Sequence, residues 1–183
     1  MFPLSPYNAY ATSIAGELYQ RAWRRGQLNK LWSVLTRQPH RLLNLADVEA
    51  TQKISSRSYA GIRTVPICQI QGSESRYNEF DLDFYPLQQR TKERWLRLAA
   101  AWYQGETIPP VELIQVGHVY FVRDGHHRLS IVRMLGQQAI EAEVTVWQVT
   151  ELPVERYNPE VSAYSPGSAI VQPNLLCARE QPC

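Results

Sequence analysis

The chain has 183 residues, 44% of them hydrophobic, and a formal net charge of +2. That length suits one compact domain with extensions, and that apolar content excludes a chain without a packed interior. The overall charge argues neither for nor against a polyanionic partner, but residues 1–41 hold six Lys/Arg against the single acid Glu17, a basic arm on a mildly acidic body.

Residues 8–37 predict two helices. Ile14, Leu18, Ala22 and Trp23 give one apolar stripe, and Leu28, Leu31, Trp32 and Leu35 give another. Gly26 lies between them, and Pro39 ends the second. Helix–glycine–helix with basic residues is a candidate DNA-binding pair; the plainer reading is an amphipathic cap on the body. Residues 42–61 are mixed, with a short helix near Leu45–Lys53, and residues 64–70 alternate as a strand in which Pro66 favours an edge or a start.

Residues 71–86 form a long polar loop. Gly72-Ser73 can offer backbone donors to a phosphate, and Arg76 adds a charge. Glu74, Glu79, Asp81 and Asp83 are candidates to hold a magnesium ion beside phosphates, and Glu74, Asp81 or Asp83 is a candidate general base. The alternative is a solvated loop pinned to the core by Phe80 and Phe84.

Residues 88–104 predict the clearest helix, with Trp95, Leu98, Ala99 and Trp102 facing the core. Arg90, Arg94 and Arg97 share another face, from which Arg94 is a candidate anion ligand. Residues 111–116 and 119–123 read as a hairpin turning at Gly117-His118. Asp124 is a good N-cap, and Gly125 permits a tight turn. A helix over 126–135 closes on Gly136, and 139–146 reads as a further strand.

The chemistry lies at the turn. His126, His127 and Arg128 fall in the first helical turn, where free N–H groups and the helix dipole favour an anion. An Arg there can grip phosphate oxygens in two directions, and histidine charge can change near neutral pH. The dipole does not prefer cations at this end, so three basic side chains in a row point to an expected anion.

Asp124-Gly125-His126-His127-Arg128, followed by Leu129-Ser130 and closed by Leu135-Gly136, resembles the box of the ParB/sulfiredoxin superfamily. Its partition-protein branch has a Gly-Glu-Arg-Arg type box there, and its sulfiredoxins have Gly-Cys-His-Arg. The resemblance covers about residues 62–147 and implies a nucleotide-binding α/β (α+β) core, with ATP or CTP as ligand and magnesium as an optional companion. It assigns the phosphates to Gly125, His126, His127 and Arg128; Arg94 and Arg76 are added from their own chemistry. The sulfiredoxin Cys falls at His126, so reduction of cysteine sulfinic acid is not expected. Only 36 residues follow Trp147, too few for the helical DNA-binding and dimerisation domains of partition proteins.

The expected organisation is a basic helical extension over 1–61, a ParB/sulfiredoxin-like core over 62–150 and an extended tail over 151–183. The tail is rich in proline, with a short strand at Ala169–Val171 as its one regular element. The four histidines, His40, His118, His126 and His127, are not expected to build a metal centre, because His118 sits at the far end of the strand from His126. Three scattered cysteines, Cys68, Cys177 and Cys183, without metal spacing fit a reducing, cytoplasmic setting. No signal peptide or membrane-spanning run is visible.

The leading functional expectation is a nucleoside triphosphate held at the His-His-Arg box, with phosphoryl transfer or hydrolysis as the natural reaction if turnover follows. The alternatives are a DNA-binding regulator or nuclease, and a protein-interaction module without a ligand.

Overall fold

The structure is a computed structural model that describes residues 6–150, with side chains from Tyr10 onward. The expected strand at Ala169–Val171 and the cysteines Cys177 and Cys183 lie outside the described residues; Cys68 is disulfide-bonded, against the expectation of a reducing setting. The elements in order are α1 (Pro6–Thr36), β1 (Leu43–Asn44), α2 (Leu45–Thr51), β2 (Lys53–Pro66), β3 (Ile70–Ser73), α3 (Lys92–Tyr103), β4 (Val111–Val116), β5 (Val119–Asp124), α4 (His126–Met134) and β6 (Ala139–Thr150). The fold is mixed α and β, as expected. Among the described residues no helix is long and apolar enough to cross a membrane.

The six strands form one sheet in the order β1-β3-β5-β4-β6-β2. β3 runs parallel to β5, and β4 runs antiparallel to β5 and parallel to β6. On one face, α4 lays Leu129 and Val132 on Val111, Leu113, Val122, Ala142 and Val144. On the other, α2 lays Leu45 and Val48 on Ile114, Val116, Phe121 and Trp147. The outer side of α4 carries Ile131 into a second cluster with Trp95 and Ala99 of α3 and Ala15, Tyr19 and Ala22 of α1. The short α4 is therefore apolar on two sides and buried between sheet and helices.

Three element expectations are corrected. Where two helices were expected over 8–37 there is one, the 31-residue α1 of Pro6–Thr36. Gly26 does not break it; a Cβ there would meet the Pro86 carbonyl oxygen at 2.8 Å, so the glycine marks a close crossing of helix and loop. β2 covers 14 residues where a mixed segment and a later strand were expected. Most of its side chains are exposed, so it lacks the alternation of a half-buried strand. It owes its form to pairing with β6, from Lys53↔Thr150 to Pro66↔Ala139, with a register shift beside Gly61. A 3-10 turn over Ile67–Gln69 then separates β2 from β3, so 64–70 is not one strand. Pro66 does end an edge strand, as its chemistry required.

The hairpin β4–β5, the helix α4 and the strand β6 fall where the sequence placed them. In α3, Trp95 and Ala99 are buried as expected, whereas Leu98 and Trp102 are only half-buried.

Candidate functional site

β5 ends at Asp124, and Gly125 turns the chain into α4 with φ of 101°. A Cβ at Gly125 would meet Val111 side-chain atoms at 2.5 and 2.9 Å, so both the dihedral and the space demand glycine. The cap is Gly125 itself, with no side-chain capping bond; Asp124 does not cap α4 as expected. Its carboxylate pairs with Arg128 across one helical turn.

All six expected residues, Gly125, His126, His127, Arg128, Arg94 and Arg76, line one cleft together with Leu98 and Asp124. It holds about 230 Å³ out to its mouth, of which about 10 Å³ encloses a water-sized atom. That enclosed end has room for about one water, and the rest of the cleft is open to solvent. Two helices and a loop supply it: α4 brings the box, α3 brings Arg94, and the loop after β3 brings Arg76.

The histidines form its inner wall. His126 and His127 are 3% and 5% exposed, not solvated. Phe80, fully buried, stacks on the His126 ring and meets the His127 ring edge-on, with centroids 5.9 and 5.5 Å away. His126 Nε2 lies 2.7 Å from Ser73 Oγ, which also accepts the backbone N–H groups of Ser75 and Arg76. With its lone pairs so used, the Ser73 hydroxyl donates to His126 Nε2, which fixes that nitrogen as the acceptor. His127 Nδ1 is buried with no hydrogen-bond partner.

Burial, followed by the charges of Arg76 and His127, pushes His126 down to about 3. Burial, followed by Arg94 and Arg76, pushes His127 down to about 4. Both rings are therefore neutral at physiological pH, against the expectation that their charge changes near neutrality. The cation of the cleft resides in arginines.

The three arginines differ in freedom. Arg128 donates to the carbonyl oxygens of Pro109 (3.1 Å) and Pro110 and pairs with Asp124, so much of its guanidinium already has protein partners. It is a wall of the cleft that ties α4 to the strand before it. Arg76 shares Glu79 at 3.6 Å with Arg90, which holds that carboxylate at 2.9 Å. Arg94 is exposed and has no ion pair among the described residues.

Other expected contributors lie elsewhere. Gly72 packs under Phe121, whose ring a Cβ would meet at 2.1 Å, and Ser73 is fully buried; neither lines the cleft. Glu74 pairs with Arg123, and Glu79 with Arg76 and Arg90. Asp81 and Asp83 join Asn29, His40 and Arg133 in a separate polar cluster. None of these four acids lines the cleft, so they are not gathered there as a magnesium site or a general base; each is engaged by partners of its own. Phe80 and Phe84 pin the loop, both fully buried, as expected.

Sequence reasoning missed Ser73 as a partner of His126 and the Pro109 and Pro110 carbonyls as partners of Arg128. Both contacts join residues far apart in the chain, so no local spacing carries them. A larger open groove, about 1160 Å³ out to its mouth, crosses Trp102, Ile108, Val132 and Ile140. It offers Glu106 and Glu141 and no Lys or Arg, the opposite of an anion site.

No protein-family model, curated protein or solved structure matches this chain.

Proposed function

We propose that this chain binds a phosphorylated ligand, a nucleoside triphosphate such as ATP or CTP, by seating one phosphate group in the cleft at the start of α4. The observation that carries the reading is the cleft edged by Arg76 and Arg94 and lined by His127, whose ring holds a buried Nδ1 without a hydrogen-bond partner. An unpaired buried polar atom costs about 1–3 kcal/mol, and a phosphate oxygen or hydroxyl would relieve that cost. The first turn of α4 adds its unpaired N–H groups, and its dipole favours an anion. Arg94 and Arg76 supply charge that a phosphate would neutralise.

The choice of a nucleotide comes from the resemblance of residues 124–128 to the ParB/sulfiredoxin box. One phosphate group would sit at the open mouth of the cleft, between Arg76 and Arg94, and the remainder of the ligand would lie outside it. Magnesium would arrive with the triphosphate. The reading is ligand binding; turnover would need a base, and the one carboxylate lining the cleft, Asp124, is paired with Arg128.

A thermal-shift series with ATP, CTP, tripolyphosphate and inorganic phosphate, each with and without magnesium, tests it. Ligand at 100 times its Kd stabilises by about 2.7 kcal/mol. A shift with tripolyphosphate and the nucleotides, lost in Arg94→Ala, is expected. No shift with any of the four overturns the proposal.

A further inference from the structure

The outer face of α1 holds an apolar row with nothing on it among the described residues. Leu28, Leu31, Trp32 and Leu35 are 63%, 67%, 66% and 76% exposed. They recur at i, i+3, i+4 and i+7, so they share one narrow face. The opposite side of the helix, through Ala15, Tyr19 and Ala22, is the one that packs on the body. The stripe expected to cap the body in fact points away from it.

The row continues toward the N-terminus as Arg24 and Arg21, four and seven residues before Leu28. From Leu18 to Ala46 there are six Lys/Arg and no Asp or Glu; the nearest preceding acid, Glu17, is one turn before Arg21. Arg25 is spent on Tyr85, donating to its hydroxyl at 3.1 Å. Arg21, Arg24, Lys30 and Arg37 have no ion pair among the described residues.

We propose that this face of α1 is a docking seam for an acidic amphipathic helix of a partner protein. The charge decides the class of occupant. A second copy would set this acid-free, basic segment beside its own like charges. Nucleic acid would satisfy the arginines but lay phosphates along leucines. A helix with leucines at alternate three- and four-residue steps, flanked by Glu or Asp, meets both demands, as in a coiled-coil seam with charged edges. The seam is remote from the cleft in composition, since no residue of α1 lines the cleft.

The test uses the full chain and a fluorescent three-heptad peptide with Leu at the two core positions and Glu at the flanking ones. Its counterpart replaces every Glu with Lys. The Glu peptide is expected to bind at least tenfold more tightly than the Lys peptide. Leu31→Gln combined with Leu35→Gln should remove that binding without lowering thermal stability, since both positions are exposed. Arg24→Glu should weaken the Glu peptide and leave the fold intact. Equal binding of the two peptides, or none by either, overturns the proposal. So does a concentration-dependent dimer abolished by the leucine variant, which would assign the face to a second copy. Co-sedimentation with phosphatidylserine vesicles, lost in the leucine variant while the peptides fail to bind, would assign it to a membrane surface.

Discussion

The Trp95 indole N–H donates to Ser130 Oγ at 3.0 Å, and both side chains are fully buried. This contact sets α3 against α4, and Arg94, the neighbour of Trp95, reaches the cleft as a result. Ser130→Ala leaves the indole N–H buried and unpaired, a cost of about 1–3 kcal/mol. The expected outcome in urea unfolding is that loss of stability. Calorimetry should also show weaker tripolyphosphate binding, because Arg94 loses its placement. A stability loss with unchanged affinity would separate α3 from the site.

The arginines should divide by task. Arg94→Ala and Arg76→Ala each remove a charge that faces the cleft, and a charge-assisted contact is worth about 1.5–3 kcal/mol, so phosphate affinity should fall at least tenfold with little change in stability. Arg128→Ala instead strips partners from the Pro109 and Pro110 carbonyls and Asp124, and should lower stability first. Calorimetry beside thermal melting distinguishes the two classes; stability unchanged in Arg128→Ala would contradict this division.

Gly125→Ala tests the turn. A side chain there must adopt φ of 101° and overlap Val111. Backbone strain and overpacking of this kind cost about 1–3 kcal/mol each. Denaturant melts should show a loss of that order, against nearly none for Gly16→Ala, whose added carbon would meet nothing within 4 Å.

Acid should act on this protein in two opposite ways. His126 and His127 are held down to about 3 and about 4, below the ordinary 6.5, so the unfolded chain takes up their protons first. Their contribution is full above pH 6.5 and is lost as pH falls toward 4, by at most about 1.4 kcal/mol per pH unit for each ring. Asp81 runs the other way. Burial pushes it up to about 6, so the folded state takes its proton first and gains stability as pH falls from about 6 toward 4. His40 is raised by its hydrogen bond to Asp83, so its stabilisation is present below the ordinary value and lost as pH rises through the raised one. Urea midpoints between pH 4.5 and 7 should therefore fall with acid in the parent. In the double variant His126→Gln, His127→Gln they should flatten or rise. The same slope in both proteins would show that the buried rings do not set it.

The local unit from 111 to 146 was legible because each of its signals is local: Gly117 at a tight turn, Gly125 and Gly136 at the ends of a helix, and apolar periods between them. All six residues expected at the site do line one cleft. What was illegible is set by contacts distant in the chain. Gly26 reads as a break until Pro86 is seen against it. β2 has too few buried positions to alternate and exists through β6. The histidines read as anion-facing groups that change charge near neutral pH because nothing near them in sequence announces Phe80 or Ser73, which bury them and keep them neutral. Leu28 to Leu35 read as a buried stripe because periodicity reports that a helix is amphipathic, not which side faces inward.

The parallel pairing of β3 with β5 has a practical consequence. Two neighbouring strands that run the same way release their following segments at the same end of the sheet, so the Arg76 loop and the histidine turn open side by side. Each segment can be lengthened or recoded while the strands beneath keep their hydrogen bonds. Should the mouth bind a ligand, its selectivity would be a loop property that a combinatorial library over residues 74–76, which spares the core-packed Tyr77, can explore.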